Sequence, residues 1–199
     1  MVIKMIGYPN GKRKRITTTK NIQKANLGQS LEEDLNLTND YYRVHNIALV
    51  HKKPTPITVV EVDYPKRSAA KITKAFYQLP STTDYNGVYQ GVYIDFEAKS
   101  TKNKTRMPLS MIHQHQLDHL NQVKNHGGFG FLILRFSIYQ ETYLIEYTRL
   151  KKFMDETSLK SIPYTWVKEH GYLIPTTYLK PCDYVAVLKR ILNKGEQIL

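Results

Sequence analysis

Asp84, Glu97 and Lys99 are the side chains best suited to chemistry, and all three lie in one stretch, STTDYNGVYQGVYIDFEAKS, residues 81–100. Two carboxylates brought side by side repel unless one is protonated or a cation sits between them. Mg²⁺ suits such a pair, because it takes a few carboxylates and completes its shell with water and phosphate oxygens. A neighbouring lysine would orient an attacking water or balance charge on a phosphorane-like transition state. The pattern D-x12-E-x-K therefore points to metal-assisted phosphodiester chemistry. Its bland counterpart is a surface Glu-x-Lys ion pair, common on strands.

Whether the two acids meet depends on the turn between them. Tyr93, Asp95, Glu97 and Lys99 alternate with Val92, Ile94, Phe96 and Ala98, so a strand here has one apolar face and one that carries two acids and a lysine. A two-residue turn at Gln90-Gly91 pairs Tyr89 with Val92 and sets Asp84 opposite Glu97, with Cβ atoms ~5 Å apart. A turn at Asn86-Gly87 would separate them. Asp95 shares the polar face and is assigned a structural hydrogen bond.

A helix is expected next, from about Pro108 to Asn125, ended by His126-Gly127-Gly128. Its stripe of Ile112, Gln116, Leu120 and Val123 places an amide on an apolar face. A buried amide needs partners, and two are open to Gln116: a metal-bound water or carboxylate, or neighbouring backbone. His113, His115 and His119 lack the acid or cysteine spacing of a zinc motif, so zinc is not expected. No P-loop or Rossmann glycine pattern is present.

The rest of the 199-residue chain must position these groups. Its length allows one domain with a real core. With 29 Lys and Arg against 17 Asp and Glu, the formal net charge is +12, which favours a polyanionic partner such as nucleic acid. The single cysteine, Cys182, excludes an internal disulfide and any multi-cysteine zinc site. No apolar run approaches membrane-spanning length and the N-terminus does not read as a signal peptide, so a cytoplasmic protein is expected.

Residues 1–28 read as a flexible basic arm, with Lys12, Arg13, Lys14 and Arg15 in a row; it is a phosphate-binding arm or a solvated tail. Residues 29–199 read as a single domain. Ser30 and Glu33 form a capping box opening a helix that ends near Asn46. Strands are expected at 47–51 and 57–63, and a helix over 66–79. Lys52, Lys53, Lys66, Arg67, Lys71 and Lys74, with Phe76 and Tyr77, make 52–79 a segment suited to phosphates and exposed bases. Strands at 129–136 and 141–147 and shorter C-terminal helices complete an α/β domain around a mixed sheet.

Together these segments resemble the PD-(D/E)xK nucleases, and more closely the RecU-type Holliday junction resolvases of Gram-positive bacteria. The segments are YPNGK (8–12), LEEDLNLTNDYY (31–42), VHKKPTP (50–56), VDYPKRSAAKI (62–72), STTDYNGVYQGVYIDFEAK (81–99) and HQHQLDHL (113–120). The resemblance implies a restriction-endonuclease-like mixed β-sheet flanked by helices, with a basic stalk protruding at about 57–80. It implies a homodimeric, Mg²⁺-dependent enzyme, with Mn²⁺ as a substitute, that symmetrically nicks four-way DNA junctions in recombination and repair. Thr82, Asp84, Glu97 and Gln116 match the metal positions and Lys99 the transition-state stabiliser. Glu32 completes the catalytic set, with Glu33 as the alternative. The implied protein partners are the RecA recombinase and the branch-migration helicase.

Two departures stand out. The family's usual Asn-Arg-Gly before the first helix is Asn26-Leu27-Gly28 here, and its frequent Tyr-Phe pair is Phe76-Tyr77. The competing readings are a non-cleaving junction-binding protein that modulates RecA and a related nuclease for other branched DNA. Retention of the Asp-Glu-Lys set speaks against the first, and the stalk segment against the second.

Overall fold

The computed structural model describes residues 30–78 and 82–195, and the side chains of these up to Asn193. The basic run Lys12–Arg15 lies outside the described residues. In chain order the helices are α1 (Leu31–Val44), α2 (Gln114–Asn125), α3 (Tyr147–Glu156), α4 (Tyr164–His170) and α5 (Tyr184–Gly195). The strands are β1 (Leu49–Lys52), β2 (Ile57–Asp63), β3 (Lys71–Tyr77), β4 (Tyr85–Tyr89) and β5 (Val92–Thr101). After these come β6 (Arg106–Pro108), β7 (Phe129–Phe136), β8 (Glu141–Glu146), β9 (Ser161–Pro163) and β10 (Tyr172–Leu173).

Six strands form one sheet in the order β1-β4-β5-β7-β8-β10. Only β5 and β7 run parallel; α2 joins them, since parallel neighbours need a crossover. The sheet is therefore mixed, as expected. Side-chain alternation divides its two faces. Ile94, Phe96, Phe131 and Ile133 point to one side, where they pack with Leu35 and Tyr42 of α1 and Tyr184 and Leu188 of α5. Leu132, Leu134, Phe136 and Ile145 point to the other, against Leu117 and Leu120 of α2, Leu150 of α3 and Val167 of α4. Helices thus cover both faces, which is why β7 reads FGFLILRF as an almost continuous apolar run.

Local chemistry fixes the elements that matter for the site. Ser30 Oγ accepts from Glu33 N, and Glu33 Oε2 accepts from Ser30 N at 2.9 Å, closing the expected capping box of α1. Between β4 and β5, Gln90 and Gly91 both have positive φ, 49° and 80°, the signature of a type I′ hairpin turn. Tyr89 pairs with Val92 and Tyr85 with Phe96, so the Gln90-Gly91 register holds. The Asn86-Gly87 alternative fails for a steric reason: Gly87 lies within β4, where β1 crosses so closely that an added Cβ would sit 2.1 Å from Leu49 O.

One expected element is wrong. Residues 66–79 do not form a helix; a short 3₁₀ turn at Arg67–Ala69 reverses the chain and β3 runs back along β2. The spacing of Ile72, Ala75 and Phe76 mimics a helical stripe, but β2 is β-branched over most of its length and needs a ladder partner. It pairs with β3 from Ile57↔Tyr77 to Asp63↔Lys71, with an irregularity around Val60. Every residue of the two strands is exposed. The two- and three-residue strands β6, β9 and β10 were not anticipated, and the predicted helix from Pro108 becomes a 3₁₀ turn at Leu109–Met111 before α2.

The two hairpin glycines should respond differently to substitution. Gly87→Val forces β1 off β4 and should cost about 3 kcal/mol, at the upper end for overpacking. Gly91→Ala has open space and meets only the positive φ, and should cost about 1 kcal/mol. Urea denaturation midpoints check the order; equal losses would contradict it.

Candidate active site

The register puts Asp84 and Glu97 side by side. Asp84, immediately before β4, donates its backbone N–H to Glu97 Oε2 at 3.1 Å, while its carbonyl accepts from Lys53 N at 2.7 Å. Glu97 is fully buried, because α2 covers the polar face of β5. Lys99, two residues on, brings its Nζ to 2.6 Å from Glu97 Oε1. That contact is an ion pair without hydrogen-bond geometry, and Glu97 Oε1 otherwise has no partner. A buried carboxylate oxygen left in this state fits a cation-binding role. Among the described residues no three His, Cys, Asp or Glu side chains converge into a preformed cage.

Asp84 opens onto a groove of about 600 Å³, lined also by Glu32, Lys52, Thr82 and Ser100. Glu32 faces it from the first turn of α1 and pairs with Lys52 at 2.5 Å. Glu33 is engaged in the helix cap, whereas Glu32 lines the groove. Thr82 lines the same groove, half-buried.

Gln116 Oε1 accepts from His113 N at 2.9 Å, capping α2; like Glu97 and Lys99, Gln116 does not line the groove. Lys53, expected on DNA, is turned inward, with Nζ donating to Asp95 Oδ2 at 2.8 Å and to Thr83 Oγ1 at 3.0 Å. The physical reason is that Asp95 is wholly buried, and a buried carboxylate needs a countercharge. Asp95 also accepts from Tyr93 OH at 2.8 Å and from Thr83 Oγ1, and His119 Nε2 lies 3.0 Å away. Asp95 therefore carries several contacts rather than one structural hydrogen bond. His119 lies with Gln116 and Val123 on the inner face of α2, which brings it to Asp95.

On the hairpin, Lys71 is paired in register with Asp63 and Lys74 with Glu61. The four cations of 66–79 therefore do not act as one block. Lys66 and Arg67, at the turn, have no acid opposite them. Phe76 and Tyr77 are strongly exposed, at 60% and 84%, and sit at the end of the hairpin away from that turn.

Burial, and next the charge of Asp84, push the Glu97 carboxyl up to about 7, with Lys99 opposing. A carboxyl raised above its ordinary value of 4.5 keeps its proton in the folded state. It therefore removes stability as pH rises from about 4.5 to about 7. In metal-free protein Glu97→Gln should abolish this component. The variant should melt about 2–4 °C above the parent at pH 8, and no higher than the parent at pH 4. Calorimetric scans in EDTA check this; an identical pH profile for both proteins would contradict it.

The sequence relationships agree with the geometry. A family model described as RecU, recombination protein U, matches residues 26–190. The Holliday junction resolvase RecU of Geobacillus kaustophilus is 50% identical over 192 residues, covering 92% of this chain and 96% of its own. Those of Bacillus cytotoxicus and Oceanobacillus iheyensis are 49% and 47% identical, each over 195 residues, covering 94% of this chain and 98% and 99% of theirs. An Asp-Glu pair with a buried glutamate and an adjacent lysine, on a sheet that the family match spans end to end, leads to one conclusion: the chain belongs to the RecU family.

Proposed function

We propose that this protein is a Holliday junction resolvase, a divalent-metal-dependent endodeoxyribonuclease that nicks two opposed strands of a four-way junction. The observation that carries the reading is the Asp84–Glu97 pair, opposed across one hairpin, with Glu97 buried, Asp84 facing the groove and Lys99 beside them. A protein that only binds junctions does not need a buried carboxylate set against a second one.

Asp84 and Glu97 would hold the metal, with the Thr82 hydroxyl beside them; Gln116, whose carbonyl caps α2, is a ligand by resemblance alone. Mg²⁺ is the preferred ion and Mn²⁺ a substitute, because the donors are hard oxygens. When bound, the ion polarises the scissile phosphate and lowers the pKa of a bound water. Lys99 then has the position to balance the charge that builds on the phosphorane oxygens. Glu32 and Lys52 also line the groove onto which Asp84 opens, where Lys52 would meet a phosphate and Glu32 would complete the catalytic set.

The β2–β3 hairpin is read as the stalk that enters the junction centre. Lys66 and Arg67 at its turn meet phosphates, Lys71 contributes along its side, and exposed Phe76 and Tyr77 offer stacking surfaces. Lys12, Arg13, Lys14 and Arg15 add positive charge for phosphate contact. A two-stranded ladder is marginal alone, and exposed Ile57, Val59, Val62 and Ile72 favour cover by a second copy. This supports a homodimer with two active sites, as paired nicks require. The RecA recombinase and the branch-migration helicase remain the proposed protein partners and the cytoplasm the proposed compartment. Among the described residues no helix is long and apolar enough to cross a membrane.

Incubation of a synthetic four-way junction, a duplex and a fork with the protein, in Mg²⁺ or EDTA, tests the reading. Symmetric Mg²⁺-dependent nicking of the junction alone is expected. Asp84→Ala should lose about 10³-fold in rate, the several kcal/mol a metal supplies. Tight junction binding without nicking would favour the non-cleaving binder, and cutting of all substrates the general branched-DNA nuclease. Undiminished cleavage by Asp84→Ala would overturn the metal assignment.

A further inference from the structure

Lys53, Thr83 and Asp95 form a connected, largely buried unit beside Asp84, with Lys53 and Thr83 at the edge of the groove. Lys53 follows β1, and its backbone N–H donates to the carbonyl of Asp84 at 2.7 Å. Its side chain passes inward, with Nζ donating to Thr83 Oγ1 at 3.0 Å and Asp95 Oδ2 at 2.8 Å. Thr83 Oγ1 donates in turn to Asp95 Oδ1. One residue thus grips the Thr83-Asp84 step at two points, the Asp84 carbonyl and the Thr83 hydroxyl. Asp95 anchors the grip to β5, two residues before Glu97, and Tyr93 OH and His119 Nε2 reach the same Oδ2 that Lys53 holds.

Asp84 needs such support because it precedes β4 and has no ladder pairing of its own. Glu97, by contrast, lies mid-strand between β4 and β7 and is fixed by the sheet. The spacing of the two carboxylates is therefore set by whatever holds residue 84. Partners that orient metal-binding carboxylates typically change metal affinity or activity by about 10–100-fold when lost.

We infer that Lys53, with Thr83 and Asp95, is a positioning unit that holds Asp84 at metal-binding distance from Glu97, rather than a contact to DNA. The inference rests on the metal-nuclease reading and assigns these residues a part in it that involves no contact with substrate. The mean exposure of the unit supports the assignment: Asp95 and Thr83 are buried, and the Lys53 side chain is only 18% exposed.

The test uses three full-length variants. Thr83→Val removes one hydroxyl and leaves every charge in place. Lys53→Met removes the ammonium. Lys53→Met combined with Asp95→Asn removes both charges, so that no carboxylate stays buried without a partner should Lys53→Met alone fail to fold. Mg²⁺ binding to the metal-free protein is measured by calorimetry, junction binding in EDTA by titration, and single-turnover cleavage across a Mg²⁺ series. Each folded variant should bind Mg²⁺ about 10–100-fold more weakly, need correspondingly more Mg²⁺ for half-maximal cleavage, and bind the junction in EDTA within about 2-fold of the parent. Unchanged Mg²⁺ affinity in folded Thr83→Val and in the double variant would overturn the positioning role. Junction binding weakened in EDTA with normal Mg²⁺ affinity would return Lys53 to the DNA surface. A parent protein that cuts no junction would instead count against the resolvase reading, whatever the variants do to Mg²⁺ binding.

Discussion

Two carboxylates of β5, Asp95 and Glu97, are shut off completely from water. Burying a charge is costly unless it is paired and hydrogen-bonded, and the fold meets that cost differently at the two positions. Asp95 is surrounded by donors, with an ammonium, two hydroxyls and an imidazole nitrogen within reach. Glu97 receives one backbone N–H and a poorly aligned lysine, and keeps one oxygen without a hydrogen bond. Neighbouring acids on one strand face are thus satisfied on one side and deliberately incomplete on the other. The incomplete one is where a cation and a phosphate would finish the electrostatics.

This division also explains where the basic residues go. A net charge of +12 suggests a uniformly cationic surface, yet Lys53 and Lys99 answer buried acids, Lys52 answers Glu32, and Lys71 and Lys74 stand opposite acids on the hairpin. On this hairpin the cations without acids opposite them, Lys66 and Arg67, lie at the turn. Charge beside the carboxylates therefore balances them, whereas charge at the turn has no acid across the ladder. Exposed apolar and aromatic side chains share the same ladder.

Local chemistry made much of this legible in the sequence. The capping box at Ser30 and the Gln90-Gly91 turn are short-range signals, and the second alone carries Asp84 to Glu97. What stayed hidden depends on residues far apart in the chain. The Asp95 unit needs Lys53, 42 residues earlier, and His119, 24 later. Residues 66–79 look helical by spacing and become a strand only because β2 is there to pair with. Strands β6, β9 and β10 are too short to leave a periodicity, and Gln116 shows its capping role only through the φ and ψ of His113. Alternation correctly separated the faces of β5 but could not say that α2 covers the polar one.

The central claim is that burial and the Asp84 charge raise the proton affinity of Glu97 and that a bound cation lowers it. Carbon-detected NMR of protein labelled at glutamate side-chain carboxyls, with Glu97 assigned by Glu97→Gln, measures this directly. In EDTA the Glu97 signal should titrate near pH 7, and saturating Mg²⁺ should move that midpoint well below the ordinary carboxylate range. A Glu97 carboxyl that titrates like an exposed glutamate, with no response to Mg²⁺, would contradict the account.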